Sequence, residues 1–291
     1  MIFKEVAKKF LENKSGEMQE LSVIAYERMI SKTLKVIGDM EIEDVACPEC
    51  LNSIVRELVK KGYSENYISQ IVSMVRYIVR FYNDMKLYEG VAKAPKRKPP
   101  KLFTDEEAKG FINIAKAESS DTNKVIAVAL AMFAGLTVSE ICALQWEDVD
   151  LTYNVILIYK CVKRIPTRNS GSKTKLEIKG VSPRIVPIND RLLEFISKYR
   201  TDSKSKYVIS GSTNITEPRS LEYYISNLFE GHAVLGDFRD WFCIKGIQQG
   251  IPIHILANYI GVSINHFCTR YGRYLEFTEK DLKSEINKIR I

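Results

Sequence analysis

The sequence predicts a mainly α-helical protein of two domains that carries one small β-sheet. Three observations support this fold class. Apolar residues recur at helical spacing through most of the 291 residues. A basic, proline-rich segment near position 95 interrupts that spacing. Two stretches, 149–159 and 184–188, are rich in β-branched and aromatic residues, as strands are.

Composition places the chain among ordinary globular proteins. It is 45% hydrophobic and 27% charged, which excludes disorder as a description of the whole and suits two apolar cores. No apolar run approaches the roughly 18 residues of a membrane span, and the first residues do not follow a signal-peptide pattern. We therefore expect a cytoplasmic protein without a membrane partner. The formal net charge of +7 is compatible with binding to nucleic acid.

The cysteines do not form a recognisable metal or disulfide pattern. There are six, and only Cys47 and Cys50 lie close together. Their spacing is half of a zinc site, but a second such pair is missing and the chain has only three histidines. The sequence therefore predicts neither a metal site nor a cofactor.

Residues 1–92 are predicted to form an N-terminal domain of four amphipathic helices. The third of these is expected at 51–61, and the fourth follows a serine cap. Opposite its apolar stripe, the fourth helix carries Tyr67, Gln70 and Arg76. These side chains could contact DNA or simply form the solvent face of the helix, and the sequence supports both interpretations equally.

Residues 93–102 are predicted to be a basic linker between the domains. Within it, residues 93–101 contain five basic side chains, three prolines and no acid, a composition that disfavours a helix. A linker of this kind suits the phosphate backbone of a nucleic acid. Its candidate phosphate contacts are Lys96, Arg97, Lys98 and Lys101.

A second basic run lies between residues 160 and 184, where Glu177 is the single acid. Taken alone, either run could be a solvated linker or loop. Their joint occurrence favours double-stranded DNA as the partner. The candidate contacts in the second run are Lys163, Arg164, Arg168, Lys173, Lys175 and Lys179.

Residues 103–291 are predicted to form the second domain. Thr104 and Glu107 have the spacing of a capping box at a helix start, and 125–136 reads as a buried helix. The strand at 149–159 is expected to pair with 184–188 across the basic run. A last amphipathic helix is expected near the chain end; it could support a homo-oligomer on DNA or pack within its own chain.

Three segments together resemble the tyrosine recombinases, or phage integrases. They read GLTVSEICALQWEDVD at 135–150, SPRIVPI at 182–188 and GVSINHFCTRY at 261–271. The resemblance covers nearly the whole chain. It implies that 1–92 is a helical, SAM-like core-binding domain and 103–291 a catalytic-like domain. In this family the two domains close on duplex DNA as a C-shaped clamp.

Three family positions hold residues that cannot take the expected part in catalysis. Thr137 stands where the family has its first arginine. With Glu140 it has the spacing of a capping box at a helix start, and its hydroxyl cannot replace a bidentate guanidinium. Gly236 replaces a histidine that relays protons, and Val262 replaces a histidine or tryptophan donor. The resemblance therefore implies a degenerate site, and we expect no enzymatic strand cleavage.

Two of the remaining family positions are kept. Arg239 matches the second arginine and Tyr271 the tyrosine nucleophile, and both are also candidate phosphate contacts. The lysine that protonates the leaving hydroxyl could be Lys173, Lys175 or Lys179.

These observations lead to a functional hypothesis. We expect a sequence-specific DNA-binding protein, associated with the nucleoid, that represses transcription for a phage or another mobile element. It is similar in this respect to the integrase-fold master repressors of SPβ-type Bacillus phages. The alternatives are an active site-specific recombinase that uses Tyr271, or an architectural protein that bends DNA for another recombinase.

Overall fold

A computed structural model describes residues 1–18, 20–45, 47–83, 99–117, 122–166, 174–200, 206–209 and 215–275. The chain divides into two compact units, Met1–Lys98 and Pro99–Ile291. Each unit has its own apolar core. The predicted chain-end helix and most of the predicted basic linker lie outside the described residues.

The first unit consists of helices alone among its described residues. They are α1 (Phe3–Lys14), α2 (Glu20–Ile37), α3 (Ile42–Val45), α4 (Pro48–Lys60) and α5 (Glu65–Asn83). The core lies between the long helices and includes Phe3, Phe10, Ile54, Ile71 and Ile78, which are all fully buried. The sequence had predicted the four long helices but not the single turn α3.

Helix α4 begins three residues earlier than the sequence predicted. Cys47 is its N-cap, because the Cys47 sulfur accepts a hydrogen bond from the backbone N–H of Cys50 at 3.3 Å. Pro48 occupies the first helical position, where a missing N–H costs nothing. The Cys-Pro-Glu-Cys segment therefore starts a helix in the structure.

The second unit begins with three helices that the sequence anticipates well. They are α6 (Asp105–Ala117), α7 (Thr122–Ala134) and α8 (Val138–Ala143). The Thr104–Glu107 capping box is confirmed, since each backbone N–H donates to the side chain of the other residue, at 2.7 and 3.1 Å. Helix α7 is buried along nearly its whole length, as its continuous apolar sequence predicts.

A three-stranded antiparallel sheet follows, in the order β1 (Val149–Asp150), β2 (Val155–Pro166), β3 (Thr174–Pro187). The prediction of one strand over 149–159 is wrong, because a tight turn separates β1 from β2. Asp150 stabilises this turn by accepting the N–H groups of Thr152 and Tyr153, and Asn154 adopts φ 51°. The predicted pairing with 184–188 is confirmed, with Leu157 opposite Ile185.

Five helices complete the described fold: α9 (Asp190–Tyr199), α10 (Pro218–Leu228), α11 (Leu235–Gln248), α12 (Ile253–Ile260) and α13 (Ile264–Tyr271). Helix α11 packs on the buried α7. Phe238 of α11 is fully buried, and the rings of Phe103, Phe111 and Phe229 surround it at centroid distances of 5.5–5.8 Å. This aromatic cluster fixes the helix that carries Arg239.

Two further findings concern the described residues only. None of their helices is long and apolar enough to cross a membrane. Within the same part of the chain, no three histidine, cysteine or acidic side chains come together in a way that could hold a metal ion.

Phe238→Ala should destabilise the second unit by about 3–5 kcal/mol, because it leaves a cavity at the centre of the aromatic cluster. Urea unfolding followed by tryptophan fluorescence measures this unit selectively, since Trp146 and Trp241 both belong to it. Tyr153→Ala is the control: its side chain is 78% exposed, so the change should stay within about 0.5 kcal/mol. Equal losses in the two variants would contradict the assignment of Phe238 to the core.

Candidate functional site

The site lies in the second unit, where the start of α8, strand β3, helix α11 and the segment from α12 to α13 meet. The capping box between Thr137 and Glu140 fixes the first of these elements. The Glu140 carboxylate accepts the backbone N–H and the hydroxyl of Thr137, each at 2.9 Å, and the Glu140 N–H donates to the Thr137 hydroxyl at 3.3 Å. Thr137 is thus engaged with its own helix.

Arg239 projects from α11 into this cluster. One Nη donates to the carbonyl of Ile260 at 2.9 Å and the other to the carbonyl of Gly135. The nearer Glu140 oxygen lies 3.9 Å from Nη1. Burial lowers the pKa of Arg239 from its ordinary value, while the negative charge of Glu140 acts in the opposite direction. Arg239 is thus held in a fixed orientation at the C-terminal end of α12.

Arg184 is a member of this site that the sequence analysis did not identify. Its Nη1 donates to Glu140 Oε1 at 2.6 Å, and its Nε donates to the carbonyl of Tyr259 at 3.0 Å. The signal that could have revealed it is strand alternation. Arg184 shares a face of the chain with Val186 and Ile188, which are both buried, and its own side chain is only 8% exposed.

Glu140 is the acceptor that joins these groups. Burial by itself would raise the pKa of Glu140, but the hydrogen bond and charge of Arg184 outweigh this effect, and the pKa lies below its ordinary value. The backbone N–H of Thr137 and the charge of Arg239 act in the same direction. Glu140 is therefore ionised and shared by both arginines.

Tyr271 ends α13 and is only 2% exposed. Its hydroxyl donates to Asp240 Oδ1 at 2.6 Å, and the same oxygen accepts Arg270 Nε at 2.9 Å. Burial, together with the nearby Cys243 and Asp240, raises the pKa of Tyr271 far above its ordinary value. In this arrangement the phenol stays protonated and its hydroxyl faces a carboxylate.

Asp240 was also absent from the sequence-based site. It directly follows Arg239 and is 4% exposed, with Arg270 as its cationic partner. Nothing in the sequence pairs these residues, because the hydrogen bonds join positions about thirty apart.

The other two substituted positions differ in their surroundings. Gly236 lies exposed in the first turn of α11, and a Cβ there would meet no atom within 4 Å, so packing does not require glycine. Val262 is half-buried and packs against the small core formed by α11, α12 and α13. Neither position offers a side-chain donor to the cluster around Glu140.

The candidate DNA contacts occupy several places. Lys163, Arg164, Lys175 and Lys179 are exposed on the β2–β3 hairpin, where Arg164 lies 3.5 Å from Glu217 and Lys179 lies 2.8 Å from Glu177. Lys101 is exposed and donates to the carbonyl of His232. The predicted contacts Lys96, Arg97, Lys98, Arg168 and Lys173 lie outside the described residues.

In the first unit, α5 displays the predicted polar face. Gln70 is exposed, and Tyr67 and Arg76 are half-buried. Lys32 of α2 places its Nζ 4.5 Å from the centre of the Tyr63 ring and 4.6 Å from that of Tyr67. Tyr67 thus belongs to a cation–π cluster at the surface.

Comparison with known proteins identifies the family. The profile of the phage integrase family matches residues 101–273, more than half of the chain. The tyrosine recombinase XerA of Thermococcus onnurineus is 30% identical over 246 residues, which cover 81% of this chain and 79% of that protein. A tyrosine recombinase of Thermosipho africanus is 23% identical over 260 residues, covering 83% and 84% of the two chains. This chain therefore belongs to the phage integrase family.

A solved structure agrees with this fold. The integrase of the transposon Tn1549, in complex with transposon right-end DNA, superposes with a TM-score of 0.79 over 99% of both chains, at 14% identity. The predicted fold class, mainly helical with a small sheet, is thus confirmed.

The expectation that the chain is not an enzyme is wrong. The relatives that match more than four fifths of its length are named tyrosine recombinases, which are enzymes. The expectation inferred inactivity from Thr137, Gly236 and Val262, and Arg184 did not enter it. Arg184 approaches the same capping box as Thr137.

Asp240→Asn should lower the free energy of unfolding by about 1–2 kcal/mol, because the charged partner of Arg270 and Tyr271 is lost from a buried position. Asp105→Asn is a matched control in the same unit: Asp105 also pairs with a cation, Lys245, but its side chain is 52% exposed. Asp105→Asn should lower the free energy of unfolding by less than about 1 kcal/mol. Urea unfolding compares the two variants, and a smaller loss for Asp240→Asn would contradict the role of this carboxylate.

Proposed function

We propose that this chain binds double-stranded DNA at specific sequences and acts through occupancy of those sites. Where a site overlaps a promoter of a phage or other mobile element, occupancy represses transcription. The observation that carries the proposal is the row of exposed cations on the β2–β3 hairpin of a chain with integrase fold. Occupancy requires binding alone, so the proposal does not depend on whether Tyr271 also cleaves DNA.

The geometry of the hairpin supports contact with a phosphate backbone. Lys163 on β2 lies opposite Glu177 of β3, and Lys175 lies opposite Ile165. Lys163 and Lys175 therefore share one face of the ribbon, and Arg164, next to Lys163, projects from the other face. The cations thus gather on neighbouring rungs of a two-stranded ribbon. Cations that neutralise DNA phosphates release condensed counterions, which makes such a surface a strong and salt-sensitive binding element.

The rest of the proposed interface follows the two-domain organisation. We assign residues 1–92 to a core-binding domain that contributes Tyr67, Gln70 and Arg76. Residues 93–102 form the basic linker, and 103–291 the catalytic-like domain, which contributes the cations of the β2–β3 hairpin. The structural neighbour from Tn1549 was solved with DNA, which supports this interface. Association of copies through the C-terminal segment belongs to the same proposal.

The state of Tyr271 favours occupancy as the resting activity. A nucleophilic tyrosine must lose its proton as it attacks phosphorus. Here the hydroxyl donates to Asp240 and burial raises the pKa of the phenol, so both effects hold the proton in place. The chain can therefore reside on DNA with its tyrosine unreactive.

DNA strand exchange through Tyr271 is the second candidate function. It is favoured by the names of the relatives and by the retention of Arg239 and Tyr271 in one site. In this reaction the Tyr271 oxygen would form an ester with the scissile phosphorus, and the 5′ oxygen would leave with a proton. The reaction requires the Tyr271 hydroxyl to break its hydrogen bond with Asp240.

The triple variant Lys163→Gln, Lys175→Gln, Lys179→Gln should bind all duplexes more weakly. If each lysine contacts one phosphate, the slope of log affinity against log salt should become shallower by roughly 2–3. Fluorescence anisotropy at several salt concentrations measures the affinity and its salt slope. The DNA is a site that a genome-wide binding map of this protein has identified.

The matched control changes three exposed lysines of the first unit, Lys8, Lys60 and Lys61, to glutamine. It carries the same change in net charge. A salt slope that falls equally in the control would show that total charge, and not the hairpin, determines binding.

The second candidate has its own test on a nicked duplex that carries a recovered site. Cleavage beside the nick releases a short oligonucleotide, so a covalent protein–DNA adduct should accumulate and survive denaturing electrophoresis. Tyr271→Phe should abolish the adduct and leave affinity within about twofold, because the hydroxyl faces Asp240 in the resting state. Tyr259→Phe is the control for another tyrosine of this region, and it should retain the adduct. Absence of an adduct in the wild type would count against strand exchange.

A further inference from the structure

Arg184 carries hydrogen-bond donors that the described structure leaves unused. Its Nε and Nη1 have acceptors, but Nη2 is buried without a partner among the residues that the structure describes. A buried polar group without a hydrogen bond costs about 1–3 kcal/mol, and more when it is charged. A ligand that brings an acceptor to Nη2 would recover this energy on binding.

The guanidinium of Arg184 lies beside the capping box that Thr137 and Glu140 form. Nη1 of Arg184 binds the carboxylate of Glu140, and that carboxylate is also bound by the hydroxyl and the N–H of Thr137. Thr137 occupies the place where the family resemblance implies an arginine. The Arg184 guanidinium therefore lies one carboxylate away from the place of the missing side chain, although it comes from β3, 47 positions further along the sequence.

Arg239 lies in the same cluster. Arg184 donates to the carbonyl of Tyr259 and Arg239 to the carbonyl of Ile260, so both guanidinium groups meet consecutive peptide units at the end of α12. Glu140 is within 4 Å of each of them. With two cations and one carboxylate, the cluster keeps one unbalanced positive charge, which an anion can neutralise.

The backbone at the end of α12 accommodates this arrangement. Gly261 has φ +73°, and a Cβ there would lie 2.9 Å from Arg184 Nη1 and 3.0 Å from its Cζ. Any other residue would therefore strain the backbone and collide with the guanidinium. Gly261 is what allows Arg184 to lie against the turn that precedes Val262.

We propose that Arg184 and Arg239 together bind one phosphodiester group of DNA, and that Arg184 supplies the guanidinium that Thr137 cannot supply. The proposal rests on the proposed function, because it needs the chain to bind DNA. Nη2 is covered in the free protein, so a phosphate oxygen reaches it only when the covering atoms move aside. Duplex DNA, and not a free anion, is therefore the appropriate probe.

The test replaces single phosphates of a recovered site by uncharged methylphosphonates, one position at a time. Wild-type protein should lose roughly tenfold in affinity or more at the phosphate that Arg184 contacts, the size expected for a charge-assisted hydrogen bond. Arg184→Lys should bind the charged and the uncharged version of that duplex almost equally. Lysine keeps a charge beside Glu140 but cannot reproduce the planar fork of donors.

Arg191→Lys is the matched control, because Arg191 is exposed on α9 and its side chain is 78% accessible. It should show the wild-type pattern at every phosphate. A purely structural role for Arg184 predicts a different result: Arg184→Lys would weaken binding to all duplexes by the same factor and keep the wild-type sensitivity at each position. That result would overturn the proposal.

Folding of the variants is checked by tryptophan fluorescence. If Arg184→Lys does not fold, the double variant Arg184→Gln, Glu140→Gln replaces the buried ion pair by a neutral hydrogen-bonded pair, and the same phosphate scan decides. Wild-type protein that binds every duplex weakly and equally would contradict sequence-specific binding itself. If the wild type binds its site specifically but no single methylphosphonate weakens binding more than the others, the role of Arg184 is contradicted and the proposed function still stands.

Discussion

The Glu140 carboxylate is the interaction on which the candidate site depends. It closes the capping box that starts α8, binds Arg184 from β3 and lies beside Arg239 from α11. Three elements distant in sequence are thus fixed to one anion. A buried carboxylate is costly unless donors surround it, so the donors and the acceptor stabilise each other only when the whole arrangement forms. This mutual dependence fixes the positions of Thr137, Arg184 and Arg239 relative to one another.

A second carboxylate, Asp240, binds the hydroxyl of Tyr271. It follows Arg239 directly on α11, so the helix that carries the arginine also carries the carboxylate that accepts the hydrogen bond of the Tyr271 hydroxyl. Two adjacent residues of one helix thus serve the two parts of the site: Arg239 lies beside Glu140, and Asp240 binds the hydroxyl of Tyr271. Because Phe238 anchors the same helix in the aromatic cluster, packing of the core determines where Arg239 and Asp240 lie.

These contacts change what the substitutions in the family motifs imply about activity. Thr137 replaces a cation and stabilises a helix start, while a guanidinium from another part of the chain approaches the same carboxylate. A motif counts only the residues within it, whereas a phosphate responds to every donor that the fold brings near. Degenerate motifs are therefore weak grounds for inferring an absent activity, and the relatives that match more than four fifths of this chain are named for an activity.

The sequence by itself determined the local structure. The capping boxes at Thr104 and Thr137, the buried α7 and the pairing of 184–188 with the preceding strand all follow from short-range patterns, and all are present. Local patterns failed where a single side chain decides, as in the turn stabilised by Asp150 and the sulfur cap of Cys47. Only the tertiary structure decided that Arg184 meets Glu140 and that Tyr271 meets Asp240, across 44 and 31 positions. Partners so far apart are chosen by how helices and strands pack, and residue spacing along the chain does not contain that information.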